Sequence, residues 1–139
     1  DNWYGPDAYR RALINEMLDW HHLNNRYILA NAVFTRVFTP VFEKLGVKVD
    51  RPDTYEKIPA LLKILDERLS KRKYLIDDKM SIVDLIYACE IDQLVLINYD
   101  LGKYKNVADY MKRMNCIPEM IEANQILEKL KKKMTSPKF

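Results

Sequence analysis

Met80-Ser81-Ile82-Val83-Asp84-Leu85 reads as the start of a helix. The Ser81 hydroxyl can accept from the backbone N–H of Asp84 while the Asp84 carboxylate reaches back to the N–H of Ser81, so two orphan donors are satisfied reciprocally. Met80 and Leu85 then close over the turn as a hydrophobic staple. From Ile86 to Asn98 the chain is largely apolar around its circumference, with Glu90, Asp92 and Gln93 as the strongly polar interruptions, which is the pattern of a helix buried on most sides. Such a helix belongs at the centre of a domain.

Working towards the N-terminus, Leu13, Met17 and Trp20 form one apolar stripe, with Ile14, Leu18 and His21 beside it. Ile28, Leu29, Ala32, Val33, Val37 and Phe38 carry the face onward from a start at Pro6-Asp7 until Pro40. At roughly thirty residues this exceeds the usual helix of about 8–20, so a spine for other helices is expected. Thr39-Pro40 restarts a short turn in which Val41, Phe42 and Leu45 supply a buried side before Gly46 ends it. After the Asp50-Arg51-Pro52-Asp53 linker, Asp53 or Thr54 caps a helix through Ile58, Leu61, Leu62, Leu65 and Leu69 to about Arg72, with a bend or a later start at Pro59. Towards the C-terminus, Asp100-Leu101-Gly102 is a turn, Val107 to Met114 a shorter helix, and Pro118 opens a last one through Leu130. No segment alternates with period two, so the fold class is all-α.

Composition narrows the function classes. With 139 residues the chain fits one domain, and 48% hydrophobic with 31% charged residues describes a soluble globular protein. No apolar run approaches the roughly 20 residues of a membrane span, so no membrane partner is expected. The net charge of +3 has its excess in Lys129, Lys131, Lys132, Lys133 and Lys138, where a helix C-terminus accounts for it. Without aromatic interleaving there, nucleic acid is not an expected partner. Cys89 and Cys116 lie in apolar patterns without CxxC spacing or a local His, which reads as two inert thiols in a reduced, cytoplasmic compartment. His21 and His22, adjacent and so about a hundred degrees apart on a helix, cannot chelate together, and no metal site is expected. The start, Asp1-Asn2-Trp3-Tyr4-Gly5-Pro6, has neither a methionine nor a targeting pattern, so a mature or excised piece of a longer chain is expected.

Glu16-Met17-Leu18-Asp19-Trp20-His21-His22 followed by Arg26, then Val37, Pro40, Val41 and Phe42, the Ser81–Asp84 box with Glu90 two turns on, and Val107-Ala108-Asp109-Tyr110-Met111-Lys112-Arg113-Met114 occur in an order and spacing that resembles one family. That family is the C-terminal helical domain of cytosolic glutathione transferases, and the theta class is the most similar. The resemblance covers essentially the whole chain and implies a glutathione-transferase C-terminal-like helical bundle with the Ser81 helix in its middle. It implies that residues 1–139 are the helical half of an enzyme whose thioredoxin-like N-terminal domain, which carries the catalytic serine and most of the glutathione site, is absent from this chain. The present residues include no βαβ pattern and no Ser-His or Cys-His nucleophile, so the chain alone is expected to be inactive.

By resemblance, the domain supplies the wall of the electrophile pocket and much of a homodimer surface, for the detoxifying conjugation of glutathione to small hydrophobic electrophiles. Arg26 matches an arginine pointing into the active site, where it stabilises charge on the glutathione sulfur, a carboxylate or a leaving anion. Phe34 matches a pocket-lining tryptophan, eight residues along and near the same face, and Trp20 packs against the missing domain or in the core. At Leu23 relatives place a polar residue that reaches glutathione across the dimer, and Asn24 is the substitute in this chain. Ser81, Asp84, Met80 and Leu85 are structural. Residue type alone reads Arg26 as a solvated or ion-paired surface residue facing Glu16 or Asp19, and Phe34 and Trp20 as core. A second function stays open, a non-catalytic glutathione-transferase-like interaction module of a translation factor or aminoacyl-tRNA synthetase assembly.

Overall fold

The computed structural model describes residues 3–5 and 7–134. The helix start read at Pro6 and the tail residue Lys138 lie outside these residues. Asp7 accepts the Arg10 N–H at 2.8 Å and caps α1, Ala8–Trp20. The spine then continues through a π-helical segment, His21–Arg26, into α2, Tyr27–Val37, with α3, Thr39–Lys44, following at once. The spine's length is as expected, and the π segment within it is not. Its wider turn carries His21 and Asn25 into the interior, where both are buried.

α3 corrects a sequence expectation. None of its residues is buried, and Val41, Phe42 and Leu45 all face solvent. Apolar spacing specified one face, which only touches the end of α2, through Phe42 on Phe34, and borders an open groove against α7, so it stays largely in solvent. Gly46 ends the turn at φ 77°, a conformation open to glycine. Beyond the linker the start falls late: a 3-10 turn, Tyr55–Lys57, precedes α4, Ile58–Leu69, with Pro59 in its first turn. Asp53 holds the Tyr55 N–H at 3.0 Å, whereas the buried Thr54 hydroxyl donates to the Ile28 carbonyl at 2.6 Å and ties this corner to α2.

α5, Ile82–Asp92, is the central element and meets α1, the π segment, α2, α6 and α7. Its capping box forms. The carboxylate leg is the tighter: Asp84 Oδ2 accepts the Ser81 N–H at 2.8 Å and the Ser81 hydroxyl at 3.1 Å. On the other leg the Asp84 N–H also lies 3.1 Å from the Ser81 carbonyl, so the hydroxyl is the looser acceptor. Met80 and Leu85 are half-buried against the core. The helix ends earlier than its apolar run: Gln93–Ile97 tightens into a 3-10 turn, and Asn98 stops it in the left-handed region at φ 52°.

Two tyrosines, both fully buried, join α5 to its neighbours. Tyr87 donates to the Met17 carbonyl of α1 at 2.8 Å. Tyr110 on α6, Lys105–Met114, donates to the Asp84 carbonyl at 2.8 Å. Each satisfies its hydroxyl inside a single continuous core drawn from α1, α2, α4, α5 and α6, with Met120 from α7, Pro118–Met134. The segment between α4 and α5 buries Leu75 and Ile76 and is pinned by Arg68 to the Leu75 carbonyl and Arg10 to Asp77. Among the described residues there is no strand, and no helix is long and apolar enough to cross a membrane.

Candidate functional site

The π segment brings a polar group into an apolar interior. From its last turn Arg26 sends Nη1 to Glu90 Oε1 at 3.4 Å, and Gln93 Nε2 donates to Oε2 at 2.9 Å. The two partners differ sharply in environment: the Arg26 side chain is 63% exposed, whereas that of Glu90 is 8% exposed. Burial pushes the Glu90 carboxyl above its ordinary value, and Arg26 and then Gln93 oppose that rise. His21 Nε2 lies 3.8 Å from the same Oε1, beyond hydrogen-bonding distance. Burial first, then His22 and Arg26, lower the His21 pKa to about 4, so the imidazole is neutral at pH 7 and adds no charge to the pair. Asn25 is fully buried, and neither of its amide atoms finds a partner among the described residues.

The residues expected at the site fall into three neighbourhoods. Arg26 stands with Glu90 and Gln93. Its partner is neither Glu16 nor Asp19, and most of its side chain stays in solvent. Trp20 stacks on Tyr87, with ring centroids 6.3 Å apart and planes 4° from parallel. It lines a crevice of about 200 Å³ between α1 and α4 with Glu16, Ile64 and Arg68. Phe34 sits farther along α2 in a ring cluster with Phe38 and Phe42, at 5.5 and 6.0 Å, under the Arg51 guanidinium at 4.1 Å. It shares no partner with Arg26. Phe38 continues that cluster into a groove of about 380 Å³ between α2, α3 and α7, lined by Val37, Pro40, Leu130 and Met134.

Asn24, expected from the resemblance to stand in for a polar residue at position 23, donates its amide to the Trp20 carbonyl at 3.1 Å and so helps hold the π turn. Leu23 itself is 79% exposed. His21 is buried and His22 exposed, their rings edge to face, and among the described residues no group of three or more His, Cys, Asp or Glu is placed to hold a metal ion. The apolar setting read for the cysteines needs correction, since Cys89 and Cys116 are both exposed as residues. The Cys89 sulfur nevertheless lies against Met120 Sδ at 3.9 Å, and burial, Asp92 and Glu90 raise its pKa and disfavour the thiolate. The sequence reading did not pair Glu90 with Arg26; its signal was a carboxylate in the midst of an apolar stretch of α5.

The family model described as the glutathione S-transferase C-terminal domain matches residues 29–118. Glutathione S-transferase T1 of Arabidopsis thaliana is 32% identical over 144 aligned positions, covering 94% of this chain and 58% of that protein. The theta-1 enzyme of Gallus gallus is 29% identical over 103 positions, covering 73% of this chain and 40% of the relative. The chain therefore spans about half the length of these curated relatives. Among solved structures, the apo form of human glutathione S-transferase T1-1 superposes with a TM-score of 0.72 at 26% identity, over 95% of this chain and 58% of that one. Glutathione transferase F2 of Populus trichocarpa, at 21% identity, has the same fold with a TM-score of 0.70 over 89% of this chain and 60% of that one. The chain belongs to the glutathione S-transferase C-terminal domain family and is a theta-like member of it.

Proposed function

We propose that this chain is the electrophile-side and dimerisation domain of a theta-like glutathione transferase of the cytoplasm. In the full-length protein a preceding thioredoxin-like domain holds most of glutathione, and this domain contributes Arg26 and an apolar wall. The cosubstrate thiol loses its proton to solvent, the thiolate sulfur bonds to carbon of a small hydrophobic electrophile, and the leaving group departs with the electron pair of the broken bond. The isolated chain lacks that machinery and is inactive in this reading.

The observation that carries the proposal is Arg26. A guanidinium anchored at one end by a buried carboxylate and open to solvent at the other is arranged to receive a second anion. The groove of about 380 Å³ reached through Phe38 supplies the apolar contact that a hydrophobic electrophile needs. The test is to express the full-length protein containing this chain and follow halide release from an alkyl halide with and without glutathione. Release that requires glutathione and is absent for the isolated chain is the expected result. A full-length protein that neither releases halide nor binds S-methylglutathione overturns the reading.

A further inference from the structure

We propose that Glu90 is a positioning residue, holding the Arg26 guanidinium from inside the bundle so that its free N–H groups meet an anionic group of the thiol cosubstrate. The ligand in this inference rests on the transferase reading above.

Glu90 occupies the buried face of α5, only 6% exposed as a residue, where an ionised carboxylate opposes burial unless it is fully paired. Its pairing is thin: an amide from Gln93 at 2.9 Å and one long contact to Arg26 at 3.4 Å. His21, 3.8 Å away and kept neutral, does not supplement them. Arg26 is largely in water, and ion pairs with one exposed partner contribute little to stability. Arg26 relieves part of the cost of burying the Glu90 carboxylate, but one long contact to a solvated guanidinium does so only modestly. The pair's other consequence is directional, because a long side chain with several rotatable bonds is tethered at one nitrogen while the rest of its planar fork stays available.

The backbone is shaped to the same end. A π turn adds a residue to the helical repeat and so rotates the next turns of the spine relative to a regular α-helix. Here it turns His21 and Asn25 inward and leaves Arg26 at the rim of the interior, within reach of Glu90. Among the described residues His21 Nε2 and both amide atoms of Asn25 find no partner, so this stretch is not arranged for stability alone.

The test uses full-length protein in four forms: wild type, Glu90→Gln, Arg26→Ala and the double variant. Arginine side-chain NMR of ¹⁵N-labelled wild type is expected to show slowed rotation of the Arg26 guanidinium, and Glu90→Gln to restore averaging. Calorimetry with S-methylglutathione is expected to show about a tenfold loss for Glu90→Gln on the wild-type background and none on the Arg26→Ala background. Replacing a thinly paired buried charge by an amide leaves the fold intact, so the melting temperature should not fall. Equal losses on both backgrounds would mean that Glu90 acts only through structure, and unchanged Arg26 rotation in Glu90→Gln would overturn the proposal. A wild type that binds no S-methylglutathione sinks the transferase reading and the ligand assigned here, while the guanidinium signals still decide whether Glu90 orients Arg26.

Discussion

Asp84 ties together more of the chain than its sequence setting suggests. Its carboxylate accepts the Ser81 N–H and hydroxyl on one oxygen and the Leu75 N–H, at 2.8 Å, on the other. Burial pushes this carboxyl up, against the Leu75 N–H, the Ser81 N–H and hydroxyl and its own backbone N–H, all of which lower it. Asp84→Ala removes a helix cap, about 0.5–2 kcal/mol, and leaves the Leu75 N–H unpaired in the interior, about 1–3 kcal/mol, so a total loss of about 1.5–5 kcal/mol is expected in urea unfolding. Ser81→Ala removes the looser leg and should cost about 1 kcal/mol. Equal losses for the two variants would mean that the Leu75 contact contributes nothing. The box was legible because its partners are three residues apart, and the Leu75 leg was not, because nothing local announces a donor from the preceding segment. The same distinction separates Arg26 from its partner. Spacing offered Glu16 and Asp19, and the structure supplies Glu90, 64 residues away.

At the scale of elements, periodicity located the helices well, since an apolar stripe is a local property of the chain. It could not find the π segment, because one added residue shifts the stripe by no more than ordinary irregularity does. Nor could it say whether the apolar face of α3 has a neighbour. The start of α6 shows a further limit. Tyr104 stands at its cap position without a side-chain cap, and Asp66 of α4 takes the role instead. Asp66 Oδ1 accepts the N–H groups of Asn106 and Val107 at 2.8 and 3.0 Å, and Oδ2 accepts the Asn106 amide at 2.9 Å. One helix therefore caps another, and α4 and α6 share an end as well as a packed face. Asp66→Ala is expected to cost about 1–2 kcal/mol and to speed amide exchange first at residues 106–110, ahead of the core of α5. Exchange that quickens uniformly along the chain would show that the contact supports the whole fold and not the start of α6.

At the scale of the molecule, two of the regions that expose large apolar residues bear on pairing between subunits. One is the α3 corner with Val41, Phe42, Leu45 and Val47. The other lies where α1 faces α4, with Ile64 at 52% exposure lining the Trp20 crevice. Large apolar side chains grouped this way mark surfaces that pair with something. The second region is the better candidate for the dimer proposed above, because it joins two rigid helices around a half-buried tryptophan and two charged residues, Glu16 and Arg68, able to rim it. A twofold interface uses the same patch on both subunits, so one substitution acts twice, and Ile64→Lys would place two like charges in a single apolar contact. In the full-length protein Ile64→Lys is expected to halve the mass seen by sedimentation equilibrium at micromolar concentration while leaving helical circular dichroism unchanged. Phe42→Lys, on the α3 corner, is expected to leave the mass of the dimer intact. If Phe42→Lys dissociates the protein and Ile64→Lys does not, the subunits meet at α3, and the spine face serves a different contact.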